Sequence, residues 1–277
     1  HAPFGEDFAR SLQAGHHLLV AQGRAFRELK RRAPGVKIST VYNPTSVYAA
    51  SCSDRDLYAR TLTQGYHSDW LLEPIYTGRY PEHLTEAWEE YLPAVQSEDM
   101  EELKIGAELS SLGLNYYMGK TVKFDPTAVT KGAAVRSPFE LKTGLGWPVY
   151  IPPFYPPGLY DLLVTTYAKY SLFGLRSICI TENGTACVSD AEKPNGLDDD
   201  FRIEYVRAHL DQVSAAIRAG VPVEGYYLWT LMDNYEWQEG YRPESAFGLV
   251  HVDRETLKRT PKKSFRWYRE LVRAHQT

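Results

Sequence analysis

The sequence predicts an α/β fold: a parallel sheet closed as a (β/α) barrel, with its functional residues at the strand C-termini. Three observations carry this. Short, continuously apolar segments alternate with longer segments of helical periodicity, as in strands buried on both faces by crossover helices. No G-x-G-x-x-G or G-x-x-x-x-G-K-[ST] follows a strand, which removes the main support for a doubly wound nucleotide-binding sheet. Polar residues collect where strands end: Asn43, Asn115 with Tyr117, Glu182, and Trp229 leading to Asp233, Asn234 and Glu236. Barrels assemble their sites at that end, from several strands.

Residues 6–32 read as a helix, because Phe8, Leu12, Leu18, Leu19, Ala25, Phe26 and Leu29 recur near helical spacing. Acids open this segment, bases close it and Pro34-Gly35 ends it. "VKISTVYN" (36–43) is the first strand. A helix is expected over 54–72, where Leu57, Tyr58, Leu62, Tyr66 and Trp70 recur at three or four. "LGLNYYMG" (112–119) is the second strand, continuing through "KTVKF". A Pro- and Gly-rich loop precedes a helix over 158–170. "SICIT" (177–181) is the third strand, and a helix over about 199–219 opens at Asp198, Asp199 and Asp200 and closes at Gly220. "VEGYYLWTL" (223–231) is the fourth strand and 265–275 the last helix. No repeat or low-complexity segment intervenes, so residues 1–277 are expected to form a single domain.

Of the 277 residues, 43% are hydrophobic and 24% charged, ordinary for a globular chain with a large core. A net charge of −4 gives no electrostatic case for nucleic acid or an anionic membrane as partner. Apolar runs such as "GLYDLLV" and "GYYLW" fall far short of the roughly 20 residues of a membrane span. Three cysteines, Cys52, Cys179 and Cys187, are an odd number without metal spacing. They argue against a disulfide framework and for a reducing, cytoplasmic setting. No metal or cofactor is expected: His16 and His17 are adjacent and point to different helix faces. His209, Trp267 and Tyr268 read as helix packing. The chain begins with His1, which suggests processing or excerpting. The 20 Tyr, 10 Phe and 6 Trp leave two readings open, rings lining a sugar site or a Tyr-rich core.

"ICITENGTAC" (178–187) ends a buried strand on Glu182, before Asn183 and Gly184, a turn signal. A carboxylate there is costly unless solvated, paired or working. Glu236 follows the next strand within "YYLWTLMDNYEW". Two acids among aromatic rings suggest glycoside hydrolysis. The structural alternative has Glu182 capping a turn and Glu236 solvated on a loop.

"ITENG", then "LWTLMDNYEWQEGY", "FGLVHVD" and "RTPKKSFRWY", resemble glycoside hydrolase family 1, the β-glucosidase family of retaining (β/α)8 TIM barrels. "HAPFGEDFARSLQAGHHLLVAQGRA" resembles the stretch after that family's fourth strand, "LGLNYYMG" its sixth strand, and "GLGWPVYIPPFYPPGLYDLL" its loop into the seventh. The resemblance implies that these residues supply roughly strands five to eight of the barrel with their helices. It assigns the nucleophile to Glu182 and a hydrogen bond on that carboxylate to Tyr117. Asn115 would lie near the sugar 2-hydroxyl, Trp229 under the glycone ring, and Glu236 against distal hydroxyls with Trp237 donating beside it. Phe247 would form a pocket wall, Trp147 would face the leaving group, and Asn43 lies on the aglycone side.

Two departures stand out. "RPESA" separates Tyr241 from Phe247, where the family commonly has about three residues. The family's acid/base Glu, in an Asn-Glu-Pro motif, has no counterpart here. The implied partners are a small β-glycoside or oligosaccharide substrate and an N-terminal half-barrel. That half would come as an upstream segment, a separate chain or a second copy. It would cover an apolar inner face. The alternatives are an inactive sugar-binding scaffold, a thioglycosidase and a phospho-glycosidase.

Overall fold

The computed structural model describes residues 7–135, 155–186, 197–236, 240–241 and 245–275. In chain order the elements are α1 (Phe8–Arg32), β1 (Ser39–Tyr42), β2 (Ser46–Ala49), α2 (Asp54–Gln64), α3 (Trp70–Thr77), α4 (Glu82–Ala87) and α5 (Asp99–Leu103). Then follow β3 (Ser111–Asn115), β4 (Gly119–Phe124), β5 (Gly132–Val135), α6 (Pro157–Tyr170), β6 (Ile178–Asn183), α7 (Asp200–Arg218), β7 (Val223–Leu228), β8 (Val250–Val252), β9 (Arg259–Pro261) and α8 (Lys263–Ala274).

Strands β1, β3, β6 and β7 form a four-stranded sheet in that order, parallel throughout. These are the four strands expected from the sequence. Leu112, Leu114, Ile178 and Ile180 point from its centre into the main core, against Leu159 and Leu163 of α6 and Val213 and Ala216 of α7. α1 begins where the Asp7 carboxylate accepts the Arg10 amide at 3.1 Å, and it ends on Lys30, Arg31 and Arg32, whose charges suit a helix C-terminus.

The opposite face of the sheet differs from the apolar surface expected. Ser39 and Ser111 hydroxyls lie 2.7 Å apart there. A Cβ at Gly113 would sit 2.8 Å from Val41 and 3.0 Å from Thr181, so small residues crowd this face. Val41 and Tyr227, on the two outer strands, are 50% and 62% exposed. Small and hydroxylated side chains thus replace a continuous hydrophobic layer.

Other elements depart from the sequence reading. The strand expected to run from 112 through "KTVKF" breaks at Tyr116–Met118, and β4 joins a second sheet of order β2-β4-β5. The Tyr116 amide still bonds the Glu182 carbonyl at 2.9 Å, while its buried ring places its hydroxyl on the Tyr155 carbonyl at 2.7 Å. The helix expected over 54–72 is interrupted by a π-helical turn, Gly65–Asp69, and resumes to Thr77. The fourth strand stops at Leu228 because the Thr230 and Leu231 carbonyls accept the amides of Leu249 and Val250 instead. β2, β5 and the β8–β9 hairpin were not expected; each is three or four residues long, too short for a periodicity to show. No described helix is long and apolar enough to cross a membrane.

Two histidines give this fold a defined acid sensitivity. His67, in the π-helical turn, is pushed down to about 4 by burial and by the nearby Lys120, whose Nζ lies 3.1 Å from its Nε2. His209 of α7 is also pushed to about 4 by burial, against the opposing effect of its Nδ1 bond to the Tyr205 carbonyl at 2.8 Å. In the unfolded chain both titrate near 6.5, so between those values the unfolded state binds protons that the folded state refuses. Stability is full above about pH 6.5 and falls as pH drops toward 4, by up to roughly 3 kcal/mol for each residue. The depressed carboxylates of Asp56, Asp99 and Asp125 act only below that window. Thermal unfolding across pH 7 to about 4 should show a steadily falling midpoint, with a shallower slope in His67→Gln; a midpoint independent of pH would contradict the assignment.

Candidate active site

The site forms where β3, β6 and β7 end. Glu182 sits one residue before the end of β6, half-buried, and its backbone carbonyl accepts the Tyr116 amide at 2.9 Å. Tyr117, just past β3, donates its hydroxyl to Glu182 Oε2 at 2.6 Å. Burial, then the bond to Glu182, push the phenol far above its ordinary range, so it stays a donor. Asn115 ends β3 and pairs in register with Glu182, and its Oδ1 accepts the Thr181 hydroxyl at 2.7 Å.

Glu236 lies beyond β7. Its backbone and that of Gly240 exchange hydrogen bonds of 2.9 and 2.7 Å, closing a tight loop that Gly240 completes at φ +68°. Burial raises the Glu236 carboxyl, the negative charge of Glu182 raises it further, and a hydrogen bond from Trp229 partly offsets both. That bond runs from the indole Nε1 to Oε1 at 3.4 Å. Phe247 is buried and meets the Tyr117 ring edge-on at 6.1 Å between centroids.

Six of the expected residues are therefore linked: Glu182 with Tyr117, Asn115 through Thr181, Trp229 with Glu236, and Phe247 with Tyr117. Asn43 is exposed just beyond the neighbouring β1, with no hydrogen bond among the described residues. Trp147 and Trp237 lie outside the described residues, as does Cys187. Cys52 and Cys179 are free thiols. Among the described residues no cluster of three or more His, Cys, Asp or Glu could hold a metal.

The "NG" after Glu182 has another role than the turn expected from it. Asn183 is the last residue of β6 and fully buried; its Nδ2 donates to the Tyr116 carbonyl at 2.6 Å and its Oδ1 accepts the Tyr226 hydroxyl at 2.6 Å. Gly184 has no left-handed backbone. It is glycine because a Cβ there would lie 1.7 Å from the Trp229 carbonyl oxygen.

The sequence reading missed the supports behind these groups. Tyr205 of α7 donates its hydroxyl to the Tyr117 carbonyl at 2.9 Å. Arg202, fully buried, pairs with Asp199 and reaches the carbonyls of Thr185 at 3.2 Å and Ala246 at 2.7 Å, one residue before Phe247. The available signal was an Arg three residues after the middle Asp of "DDD", at helical spacing.

Two acids and their rings thus gather at the C-terminal ends of parallel strands in an α/β fold, the end at which (β/α) barrels assemble their sites. The chain belongs to glycosyl hydrolase family 1, whose model matches residues 1–277. It is 37% identical over 274 residues to Beta-glucosidase A of Thermotoga maritima, covering 99% of this chain and 58% of the relative. To a 6-phospho-beta-galactosidase of Staphylococcus haemolyticus it is 33% identical over 293 residues, covering 98% of this chain and 61% of the relative. The solved family 1 b-glucosidase of Thermotoga maritima superposes with a TM-score of 0.86 at 37% identity, over 99% of this chain and 59% of that one. The fold is accordingly part of a (β/α)8 barrel, and the chain spans somewhat under two thirds of the length of these relatives.

The close approach at Gly184 gives a direct test of how tightly the site is built. Gly184→Ala must push β6 away from the end of β7, a backbone clash that no rotamer relieves. Thermal or urea unfolding should show a loss of at least about 2 kcal/mol. A neutral substitution would mean that the two strand ends separate freely.

Proposed function

We propose that this chain carries the nucleophile side of a retaining β-glycosidase that removes terminal, neutral β-D-glycosyl residues. The observation that supports it most is the 2.6 Å bond from Tyr117 to one oxygen of Glu182. It holds that oxygen in place while the other is free to attack an anomeric carbon. In the first step the free oxygen bonds to the carbon, the bond to the leaving oxygen breaks, and the leaving oxygen takes a proton from an acid. In the second, water attacks the carbon, the same group takes its proton, and the Glu182 carboxylate is released, so two inversions retain the β-configuration.

We assign that acid/base to a residue outside these 277, carried by an N-terminal half-barrel of the same domain. It reaches the site as an upstream segment or a separate chain. Glu236 is better suited to accept hydroxyl hydrogens of the glycone, with the Trp229 ring beneath the sugar and Phe247 as a wall. Asn115 is assigned to the 2-hydroxyl region, Trp237 to a position beside Glu236, and Trp147 and Asn43 to the leaving-group side. The free thiols of Cys52 and Cys179 suit a reducing, cytoplasmic setting. A 6-phosphorylated substrate fits less well than a neutral one, because the Glu236 carboxylate would face its phosphate.

A 2-deoxy-2-fluoro glycoside with a good leaving group should label Glu182, because fluorine slows the second step more than such a leaving group slows the first. Peptide mapping locates the adduct, and a label on Glu236 would reverse the two roles. Glu236→Gln should lower kcat/KM for a neutral aryl glucoside by an amount equivalent to roughly 1–3 kcal/mol, as for a lost charged hydrogen bond. Faster turnover of a 6-phosphorylated glycoside than of its neutral parent would refute the substrate class.

A further inference from the structure

Between β2, α2, the π-helical turn and α6 lies a cavity of about 320 Å³, lined by none of the residues assigned above. Much of its polar lining is committed. Lys169 pairs with Asp69 at 3.1 Å and with Glu73 at 2.8 Å. Gln64 accepts the Val47 amide at 2.8 Å and donates to the Ser68 hydroxyl at 2.7 Å. The Ser46 hydroxyl donates to the Gly158 carbonyl at 2.7 Å.

Four groups are left over. Arg60 uses only its Nε, on the Val47 carbonyl at 3.1 Å, and its two terminal amino groups have no partner among the described residues. Asp161 accepts the Tyr48 hydroxyl at Oδ2, 2.5 Å, and its Oδ1 accepts nothing there. Thr166 is only 5% exposed, yet its hydroxyl makes no hydrogen bond among the described residues. Ser68, equally buried, accepts from Gln64 and leaves its own hydrogen unused. Arg60 and Asp161 line the same cavity without forming an ion pair. A guanidinium fork and a carboxylate oxygen therefore border one space that neither crosses.

The charge of the lining selects the occupant. An anion suited to Arg60 would meet Asp161 and Asp69, and a cation suited to Asp161 would meet Arg60 and Lys169. A hydroxyl both donates and accepts at one oxygen, so a neutral ligand bearing several can serve Asp161, Arg60, Thr166 and Ser68 together. Val47, Leu72 and Leu162 offer an apolar wall to its carbon skeleton. The volume falls at the lower end of the roughly 300–1,000 Å³ usual for small-molecule pockets, enough for one sugar ring and too large for a single buried water. We propose that this cavity is a second, non-catalytic site for a polyhydroxy ligand, a single pyranose or a short linear polyol.

Calorimetric titration and saturation-transfer NMR of the purified protein with sorbitol and with glucose test this. Arg60 is exposed and makes a single side-chain bond, so Arg60→Ala should keep the fold, as circular dichroism will verify; Asp161→Asn probes the other wall. Saturable sorbitol binding is expected, weakened at least about tenfold by either substitution, as for a lost charged hydrogen bond, and unchanged by Glu236→Gln. No saturable binding of either probe, or binding indifferent to Arg60→Ala, would overturn the proposal. Binding lost in Glu236→Gln alone would also overturn it, by placing the polyol in the glycone pocket. Because the readout is binding and not turnover, the result is independent of the glycosidase assignment.

Discussion

The side-chain amide of Asn183 has no access to solvent, and the geometry of the site hangs on it. Its nitrogen donates to the Tyr116 carbonyl and, at 3.3 Å, to the Tyr205 hydroxyl, while its oxygen accepts from Tyr226. One side chain thereby joins the ends of β3, β6 and β7 and the flank of α7. A buried amide that loses a partner costs about 1–3 kcal/mol for each group left unpaired, so any shift of one strand end against the others is resisted. Glu182 and Tyr117 lie one residue to either side of this junction, on Asn183 and on Tyr116. Their 2.6 Å contact is a consequence of a backbone arrangement fixed next door.

Two buried ion pairs extend the same constraint outward. Asp199 receives Arg202 along with the amide and hydroxyl of Ser264, at 2.8 and 2.5 Å, which brings the starts of α7 and α8 together. Asp233 receives Lys262 at 3.0 Å and the Gly248 amide at 2.9 Å. Gly248 must be glycine, since a Cβ would lie 2.2 Å from the Asp233 nitrogen. Buried pairs of this kind contribute little net stability over apolar residues of similar size, but removing one partner strands a charge at a cost of about 3–5 kcal/mol. Together they tie Asp233, Ala246 and Gly248 to the starts of α7 and α8.

The four main strands and the long helices were legible because their apolar residues repeat over enough positions to fix a period. The acids were legible for a different reason: Glu182 and Glu236 are charged residues in otherwise largely apolar or aromatic stretches, and their neighbours match a family pattern. Asn183 and Gly184 were misread as a turn, since side-chain burial and backbone proximity leave no trace in a dipeptide. β4 was run into β3 because alternation continues through Tyr116, although β4 joins a second sheet. Arg202 and Lys262 resemble ordinary surface cations in sequence. Their burial depends on Asp199, Thr185, Ala246 and Asp233, contacts that no local window contains.

The tyrosine surplus resolves in the same terms. The core reading holds in part: Tyr76, Tyr116, Tyr170 and Tyr205 are buried, and several other rings pack partly buried while their hydroxyls tie elements together. Tyr42 donates to Gln22 at 2.8 Å, joining β1 to α1; Tyr48 donates to Asp161, joining β2 to α6; Tyr116, Tyr205 and Tyr226 bind the strand ends to their surroundings. A phenol suits this task better than phenylalanine or serine. Its ring supplies core area, and its hydroxyl satisfies a carbonyl or carboxylate that would otherwise be buried alone. Burial pushes all five upward, away from ionisation, which keeps each one a donor. Tyr117 belongs to the same set, differing only in that the carboxylate it holds is the one assigned to do chemistry. A side chain used elsewhere as a structural tie becomes, at the end of β3, the group that orients a carboxylate.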